Sequence, residues 1–146
     1  DLDLILAPVG GGGLLSGTAV AATSAPETRV VGCEPSGADD AWRSLTTGTR
    51  VTQQTPDTIC DGLRTVLGEI PFAILRALEV EVVRVDDDEV RRALLTLLER
   101  TKQIVEPSAA VGVAALLAGR IVAKGKRVGV ILSGGNVDLR AWVDAL

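Results

Sequence analysis

Four consecutive glycines at residues 10–13 constrain this chain more than any other feature. They follow an apolar run over residues 2–7 that predicts a buried strand, and they precede small and apolar residues that predict a helix over residues 14–24. Glycine lets the backbone approach a ligand closely and adopt positive φ at little cost. A strand, a glycine loop and a helix in this order direct backbone N–H groups towards an anion. The stretch therefore predicts a phosphate cradle, and the alternative is a glycine-rich turn without a ligand.

Further strands and helices alternate along the chain. Apolar, β-branched segments predict strands at residues 29–33, 80–85 and 127–132. Apolar residues at helical spacing predict a short helix within residues 36–50 and longer ones at 71–78, 89–103, 109–123 and 139–146. We therefore predict an α/β fold of three layers, a mainly parallel, twisted sheet with helices on both faces. The chain has no Met and starts almost inside a strand, so we expect the N-terminal part of the fold to be missing.

Composition excludes several classes of protein. Apolar residues make up 47 % of the 146, which suits a globular interior and excludes disorder. Charges of both signs are interspersed and aromatic residues are only 2 %, so we expect no nucleic-acid partner. Neither a membrane span nor a signal-peptide pattern occurs. Cys33 and Cys60 are too few for a disulfide framework or a zinc site, so we expect a cytoplasmic protein.

An acidic motif follows the second predicted strand. Glu34 and Asp40 are two hard oxygen ligands separated by a turn, and the backbone carbonyl of Ala38 could add a third. Such a set suits magnesium or calcium with several waters. From the residues alone we favour the alternative, an ordinary helix N-terminus, because acidic residues are common there.

Three other motifs are weaker candidates. Ser133 opens a Ser-Gly-Gly-Asn turn after the last strand, where ligands of parallel sheets bind. Glu106 precedes a helix and is a cap or a ligand contact, and Asp61 and Gly62 form a turn or a wall of the pocket.

A dinucleotide site is a second interpretation of the glycine loop. Gly11 and Gly13 fit the first two glycines of the dinucleotide motif, Ser16 stands where the third is expected, and Glu34 lies about 20 residues on, where an acid binds the ribose. A single phosphate suits contiguous N–H donors better than a long pyrophosphate. A nucleotide P-loop is excluded because no lysine follows the last glycine.

Five motifs together carry a resemblance to one enzyme family. In chain order they are Gly-Gly-Gly-Gly at 10–13, Glu-Pro-Ser-Gly-Ala-Asp-Asp at 34–40, Asp-Gly at 61–62, Glu-Pro-Ser at 106–108 and Ser-Gly-Gly-Asn-Val-Asp-Leu at 133–139. They resemble the C-terminal half of the serine racemase and serine/threonine dehydratase family, pyridoxal-phosphate enzymes of the tryptophan-synthase-β-like fold (fold type II). The resemblance implies that residues 1–146 form most of the large, cofactor-phosphate-binding domain. It also implies a small hydroxy amino acid as substrate, a 2-oxo acid plus ammonia or the epimer as product, and a homodimer when complete.

The resemblance implies roles for individual residues. The cofactor pyridoxal 5′-phosphate would be bound by Gly10, Gly11, Gly12, Gly13, Leu14 and Ser133, the first five through backbone N–H groups and Ser133 at the pyridine nitrogen. Glu34, the Ala38 carbonyl and Asp40 would hold a divalent cation, as in the racemases. A hydroxyl does not hold a proton on the ring nitrogen as a carboxylate does, so loss of a β-hydroxyl or reprotonation can compete with transamination.

The chain departs from the family at one point. The family carries its Schiff-base lysine in an N-terminal motif, and that motif is absent; the lysines here are Lys102, Lys124 and Lys126, none predicted at the ligand edge. We therefore expect no catalytic residue in this chain and no catalysis by the chain alone. A degenerate relative that kept only the fold is a third interpretation. The chain ends soon after the last motif, which favours the racemase-like and short catabolic branches, but its residues do not separate racemase from dehydratase, or serine from threonine or hydroxyaspartate.

Overall fold

A computed structural model describes residues 2–144 of the chain. The strands are β1 (Leu4–Pro8), β2 (Arg29–Pro35), β3 (Glu81–Val85) and β4 (Val128–Val130). The helices are α1 (Gly13–Ala22), α2 (Asp40–Thr47), α3 (Glu69–Ala77), α4 (Asp87–Thr101), α5 (Pro107–Leu117) and α6 (Leu139–Asp144). Short 3₁₀ turns occupy Ser36–Ala38 and Asp61–Leu63. Within this part of the chain, no helix has the length and apolar character needed to cross a bilayer.

The strands form one sheet in the order β3-β2-β1-β4, and each neighbouring pair is parallel. Leu4 pairs with Arg29 on one side and with Val128 on the other, so β1 lies inside the sheet. The parallel α/β prediction is confirmed. Because the strands run in one direction, the loops that follow β1, β2 and β4 open at the same edge of the sheet, which we call the carboxyl edge.

Alternate residues of each strand enter two separate cores, as the period of a β-strand requires. On one face Leu4, Leu6 and Val31 pack against α4 and α5. On the other face Ala7 and Val30 pack with residues of α1, α2 and α3. The predicted three layers are therefore confirmed.

Helix α5 ends six residues before the apolar pattern predicts. We expected residues 109–123 to be helical and Gly125 to end the helix. Instead Gly119 adopts a φ of 68°, and the N–H groups of Gly119 and Arg120 donate to the carbonyls of Leu116 and Ala115 at 3.1 and 2.9 Å. These two bonds form a Schellman motif, which ends the helix although apolar residues follow it.

Local hydrogen bonds set other boundaries. β1 starts at Leu4 rather than at residue 2, and the carboxylate of the preceding Asp3 accepts a hydrogen bond from the backbone N–H of Arg127 at 2.7 Å. α4 starts two residues early, because Asp86 and Glu89 form a capping box with bonds of 2.8 and 2.9 Å. The last helix was expected to reach residue 146, and residues 145–146 lie outside the described part of the chain.

Candidate functional site

The glycine loop joins β1 to α1 at the carboxyl edge and fits closely against residues 65–71. Gly12 has a φ of 88°, and a Cβ added there would collide with Leu67 Cδ1 and lie 2.7 Å from Pro71 Cβ. A Cβ added at Gly10 would lie 3.1 Å from Thr65 Oγ1. A side chain at residue 12 is therefore excluded both by backbone conformation and by space.

The backbone N–H groups of the loop have no protein acceptor in the described part of the chain. Helix α1 has neither a side-chain cap nor an acidic residue in its first turn. Among residues 2–144, no oxygen accepts a hydrogen bond from the backbone N–H of Gly10, Gly11, Gly12, Gly13 or Leu14. The first N–H groups of a helix lack intrahelical partners and carry the positive end of its dipole. Five successive donors are thus available to one anion, and this arrangement fits a phosphate.

Glu106 lies between two other motifs, one of which contacts the glycine loop. A Cβ added at Gly134 would lie 2.5 Å from Glu106 Oε1, and one added at Gly62 would lie 3.3 Å from the same atom. The Gly62 N–H donates to Ser108 Oγ at 2.9 Å, and the Gly62 carbonyl is 3.4 Å from the Cβ position of Gly10. Four of the five motifs therefore form one continuous wall. Glu106 occupies the N-cap position of α5, as predicted, but its side chain makes no capping bond to the helix.

Ser133 lies beyond β4 on the same edge. β4 pairs with β1 up to Val130 and Leu6, and Ser133 follows three residues after the end of β4, on the side of the sheet where the glycine loop follows β1. Ser133 is exposed, so its hydroxyl is accessible to a ligand at this edge.

The two carboxylates of the acidic motif are buried below the protein surface. Glu34 and Asp40 are each 1 % exposed. Glu34 Oε1 accepts from the Trp42 N–H at 2.5 Å and Oε2 from the Ala41 N–H at 3.3 Å. The Glu34 carboxylate on β2 therefore satisfies the first turn of α2.

Burial perturbs the pKa values of the two carboxyl groups of the acidic motif. Burial raises the pKa of Glu34 to about 8, and the Asp40 carboxylate adds to that rise; burial also raises the pKa of Asp40. Within residues 2–144, neither group forms an ion pair. No three His, Cys, Asp or Glu side chains gather in this part of the chain, so a cation here would need the Ala38 carbonyl as its third protein ligand.

Three residues that the sequence does not single out connect the acidic motif to the glycine loop. Thr65 and Leu67 contact the glycine loop, and Gln54 donates to Asp40 Oδ1 at 2.8 Å. They carry no motif or periodic pattern, and their partners lie far away along the chain, so nothing in the sequence marks them.

Comparison with known proteins adds an independent finding. The family model described as "Pyridoxal-phosphate dependent enzyme" matches residues 1–134. A serine racemase of Dictyostelium discoideum is 46 % identical over 95 % of the chain and 44 % of its own length. An L-threo-3-hydroxyaspartate ammonia-lyase of Saccharomyces cerevisiae is 44 % identical over 97 % of the chain and 44 % of its own length. The structure of maize serine racemase superposes with a TM-score of 0.90 at 38 % identity, over 99 % of this chain and 48 % of that one. The chain thus spans less than half the length of these relatives.

Adjacent glycines of the loop are expected to respond differently to alanine. Gly12→Ala should lower the free energy of unfolding by about 2–5 kcal/mol, because it combines a left-handed backbone with a clash. Gly13→Ala should change it by less than about 1 kcal/mol, since residue 13 is helical and has open space around its Cβ position. Urea unfolding without phosphate in the buffer measures both values, and equal losses would contradict the geometry.

Glu34 should make the cation-free protein less stable as pH rises. Its carboxyl keeps its proton up to about pH 8 when folded and releases it near pH 4.5 when unfolded. The folded state therefore binds more protons between these values, and this group lowers the free energy of unfolding by up to about 1.4 kcal/mol per pH unit across that window. In Glu34→Gln this contribution disappears. Unfolding curves recorded with a chelator at several pH values should show a steeper fall in the free energy of unfolding for wild type than for Glu34→Gln. The exposed Glu27→Gln is the control and should behave like wild type. Parallel pH profiles for wild type and Glu34→Gln would refute the prediction.

Proposed function

This chain belongs to the family of pyridoxal-phosphate-dependent enzymes, and we propose that residues 1–146 form most of the large, cofactor-phosphate-binding domain of a serine/threonine ammonia-lyase or serine racemase. One observation carries the proposal: the five N–H groups from Gly10 to Leu14, at the positive end of α1, find no acceptor among the residues that the structure describes. They match the charge and size of a single phosphate group.

The loop residues would anchor the cofactor by its phosphate. Gly10, Gly11, Gly12, Gly13 and Leu14 would donate backbone hydrogen bonds to the phosphate oxygens, and charge-assisted bonds of this kind are stronger than neutral ones. Since the donors are main-chain groups held between β1 and α1, they need little reorganisation on binding. Ser133, which follows the neighbouring strand β4, would contact the pyridine ring.

Ser133 would set the protonation of the ring. Pyridoxal phosphate, when bound, supplies an electron sink for reactions at the amino acid Cα. The Ser133 hydroxyl would form a hydrogen bond at the pyridine nitrogen without fixing a proton there, whereas a carboxylate would hold one. Exposure of Ser133 at the carboxyl edge, one strand from the glycine loop, supports this role.

We assign a small hydroxy amino acid as the substrate, namely serine, threonine or 3-hydroxyaspartate. The support is the similarity to a serine racemase and to a hydroxyaspartate ammonia-lyase at 46 % and 44 % identity. Elimination would give a 2-oxo acid and ammonia, and reprotonation would give the epimer.

We further propose that this chain does not catalyse alone and that the covalent lysine is supplied from outside these 146 residues. Lys124 and Lys126 precede β4, at the opposite edge of the sheet from the glycine loop. Lys102 Nζ donates to the carbonyl of Glu99, in the last turn of its own helix, at 2.6 Å. The matched share of the relatives, 44 %, leaves room for such a segment.

Glu34, the Ala38 carbonyl and Asp40 are proposed to hold magnesium or calcium. Their support is the burial of both carboxylates and the absence of an ion pair to either within residues 2–144. A divalent cation would neutralise the two charges and keep both carboxyls ionised at neutral pH.

Replacing Ser133 by a carboxylate tests the proposed function. In the whole protein, Ser133→Asp should reduce release of ammonia from serine or threonine by about tenfold or more, corresponding to about 1.4 kcal/mol in the transition state. The Kd for pyridoxal phosphate should change little, because the loop holds the phosphate. An assay of 2-oxo acid formation measures this loss, with Ser24→Asp, at an exposed serine outside every motif, as control. If the whole wild-type protein has no activity towards any of the three substrates, the proposed function is refuted. If the 146-residue chain alone dehydrates serine, the proposal that this chain does not catalyse alone is refuted.

The cation proposal is tested by thermal unfolding. Magnesium or calcium at about 100 times its Kd should stabilise the protein by about 2.7 kcal/mol and raise its Tm by several degrees. Glu34→Gln should abolish this rise, whereas Asp57→Asn, at an exposed carboxylate of the neighbouring segment, should retain it. A rise of equal size in Glu34→Gln would contradict the assignment.

A further inference from the structure

Residues 65–68, which we call the bridging segment, connect the acidic motif to the glycine loop. We infer that cation binding at Asp40 tightens the hold of the loop on the cofactor phosphate through this segment, and that Gln54 is the positioning residue that transmits the effect. The inference rests on the proposed function, since it requires that both ligands bind where that proposal puts them.

On the acidic side, hydrogen bonds fix the bridging segment to Asp40. Asp40 Oδ2 accepts from the Leu67 N–H at 2.6 Å, a buried bond. Asp40 Oδ1 accepts from Gln54 Nε2 at 2.8 Å, and the same nitrogen donates to the Thr65 carbonyl at 2.8 Å. The Gln54 amide therefore uses its donors to span the proposed cation ligand and the bridging segment. Arg50 adds a tether from its Nη1 to the Leu67 carbonyl at 3.0 Å.

On the other side, the same few residues form the outer wall of the glycine loop. The Gly68 N–H donates to the Gly11 carbonyl at 3.1 Å. Leu67 Cδ1 fills the space that a Cβ at Gly12 would need, and Thr65 Oγ1 lies 3.1 Å from the Cβ position of Gly10. Three of the four glycines thus contact the bridging segment, so a shift of this segment must move the backbone donors.

These contacts give the two sites a shared element. Both oxygens of the Asp40 carboxylate hold this element, Oδ2 through the Leu67 N–H and Oδ1 through Gln54 Nε2. A cation that binds both carboxylates fixes Asp40 in one orientation and so orders the bridging segment before the phosphate arrives. A site ordered in advance binds its ligand more tightly. The coupling is reciprocal, so the phosphate must tighten cation binding by the same factor, typically about 5 to 150.

Gln54→Met provides the test, because methionine keeps the length of the side chain and removes both N–H donors. The matched control is Gln53→Met, the same change at the exposed neighbour. In the whole protein, stripped of cofactor and cation, the Kd for pyridoxal phosphate is measured by absorbance titration with and without magnesium. We expect magnesium to lower this Kd by about fivefold or more in wild type and in Gln53→Met. In Gln54→Met, the Kd should be nearly independent of magnesium.

The ratio of the two Kd values separates positioning from a general structural role, because simple destabilisation would raise the Kd equally with and without magnesium. Hydrogen exchange in cofactor-free wild type gives a second readout that needs no variant: magnesium should slow exchange at residues 67 and 68 and leave α4 unchanged. A wild type that binds pyridoxal phosphate with a Kd insensitive to magnesium, or a Gln54→Met protein with the full dependence, overturns the inference and leaves the proposed function standing. A wild type that does not bind pyridoxal phosphate at all overturns both.

Discussion

The candidate site depends on one feature of the main chain: α1 begins without a cap, and the N–H groups from Gly10 to Leu14 have no acceptor among residues 2–144. Most helices satisfy their first N–H groups with a side chain or with water. Here the glycines remove the side chains that could do so and leave space for an anion. The unusual fit of Gly12 against Leu67 and Pro71 holds this open arrangement in place.

The parallel sheet explains why the other motifs meet at this loop. β1, β2 and β4 run in one direction, so the residues that follow them reach the same edge. α5 begins at that edge, where Glu106 packs between Gly62 and Gly134. The acidic motif after β2 lies deeper, and its connection to the loop runs through hydrogen bonds to residues 65–68. The two sites that we propose, one for an anion and one for a cation, therefore lie at one edge of the sheet.

Much of the fold was predictable from residue patterns, because burial on both faces leaves apolar strands and amphipathic helices that periodicity detects. The order of the five motifs also identified the family, which the match over residues 1–134 confirms. The end of α5 was not predictable, since the choice between Gly119 and Gly125 depends on which glycine closes a Schellman motif. The roles of Thr65, Leu67 and Gln54 were hidden for a different reason: each follows from tertiary contacts alone, and no local pattern encodes those contacts.

The most direct test of this account is a crystal structure of the whole protein with pyridoxal phosphate. We expect the phosphate oxygens to lie within hydrogen-bonding distance, about 2.7–3.2 Å, of the backbone nitrogens of residues 10–14, with Ser133 Oγ beside the pyridine nitrogen. A cofactor phosphate bound by side chains elsewhere, with the N–H groups of residues 10–14 facing only water, would contradict the central claim.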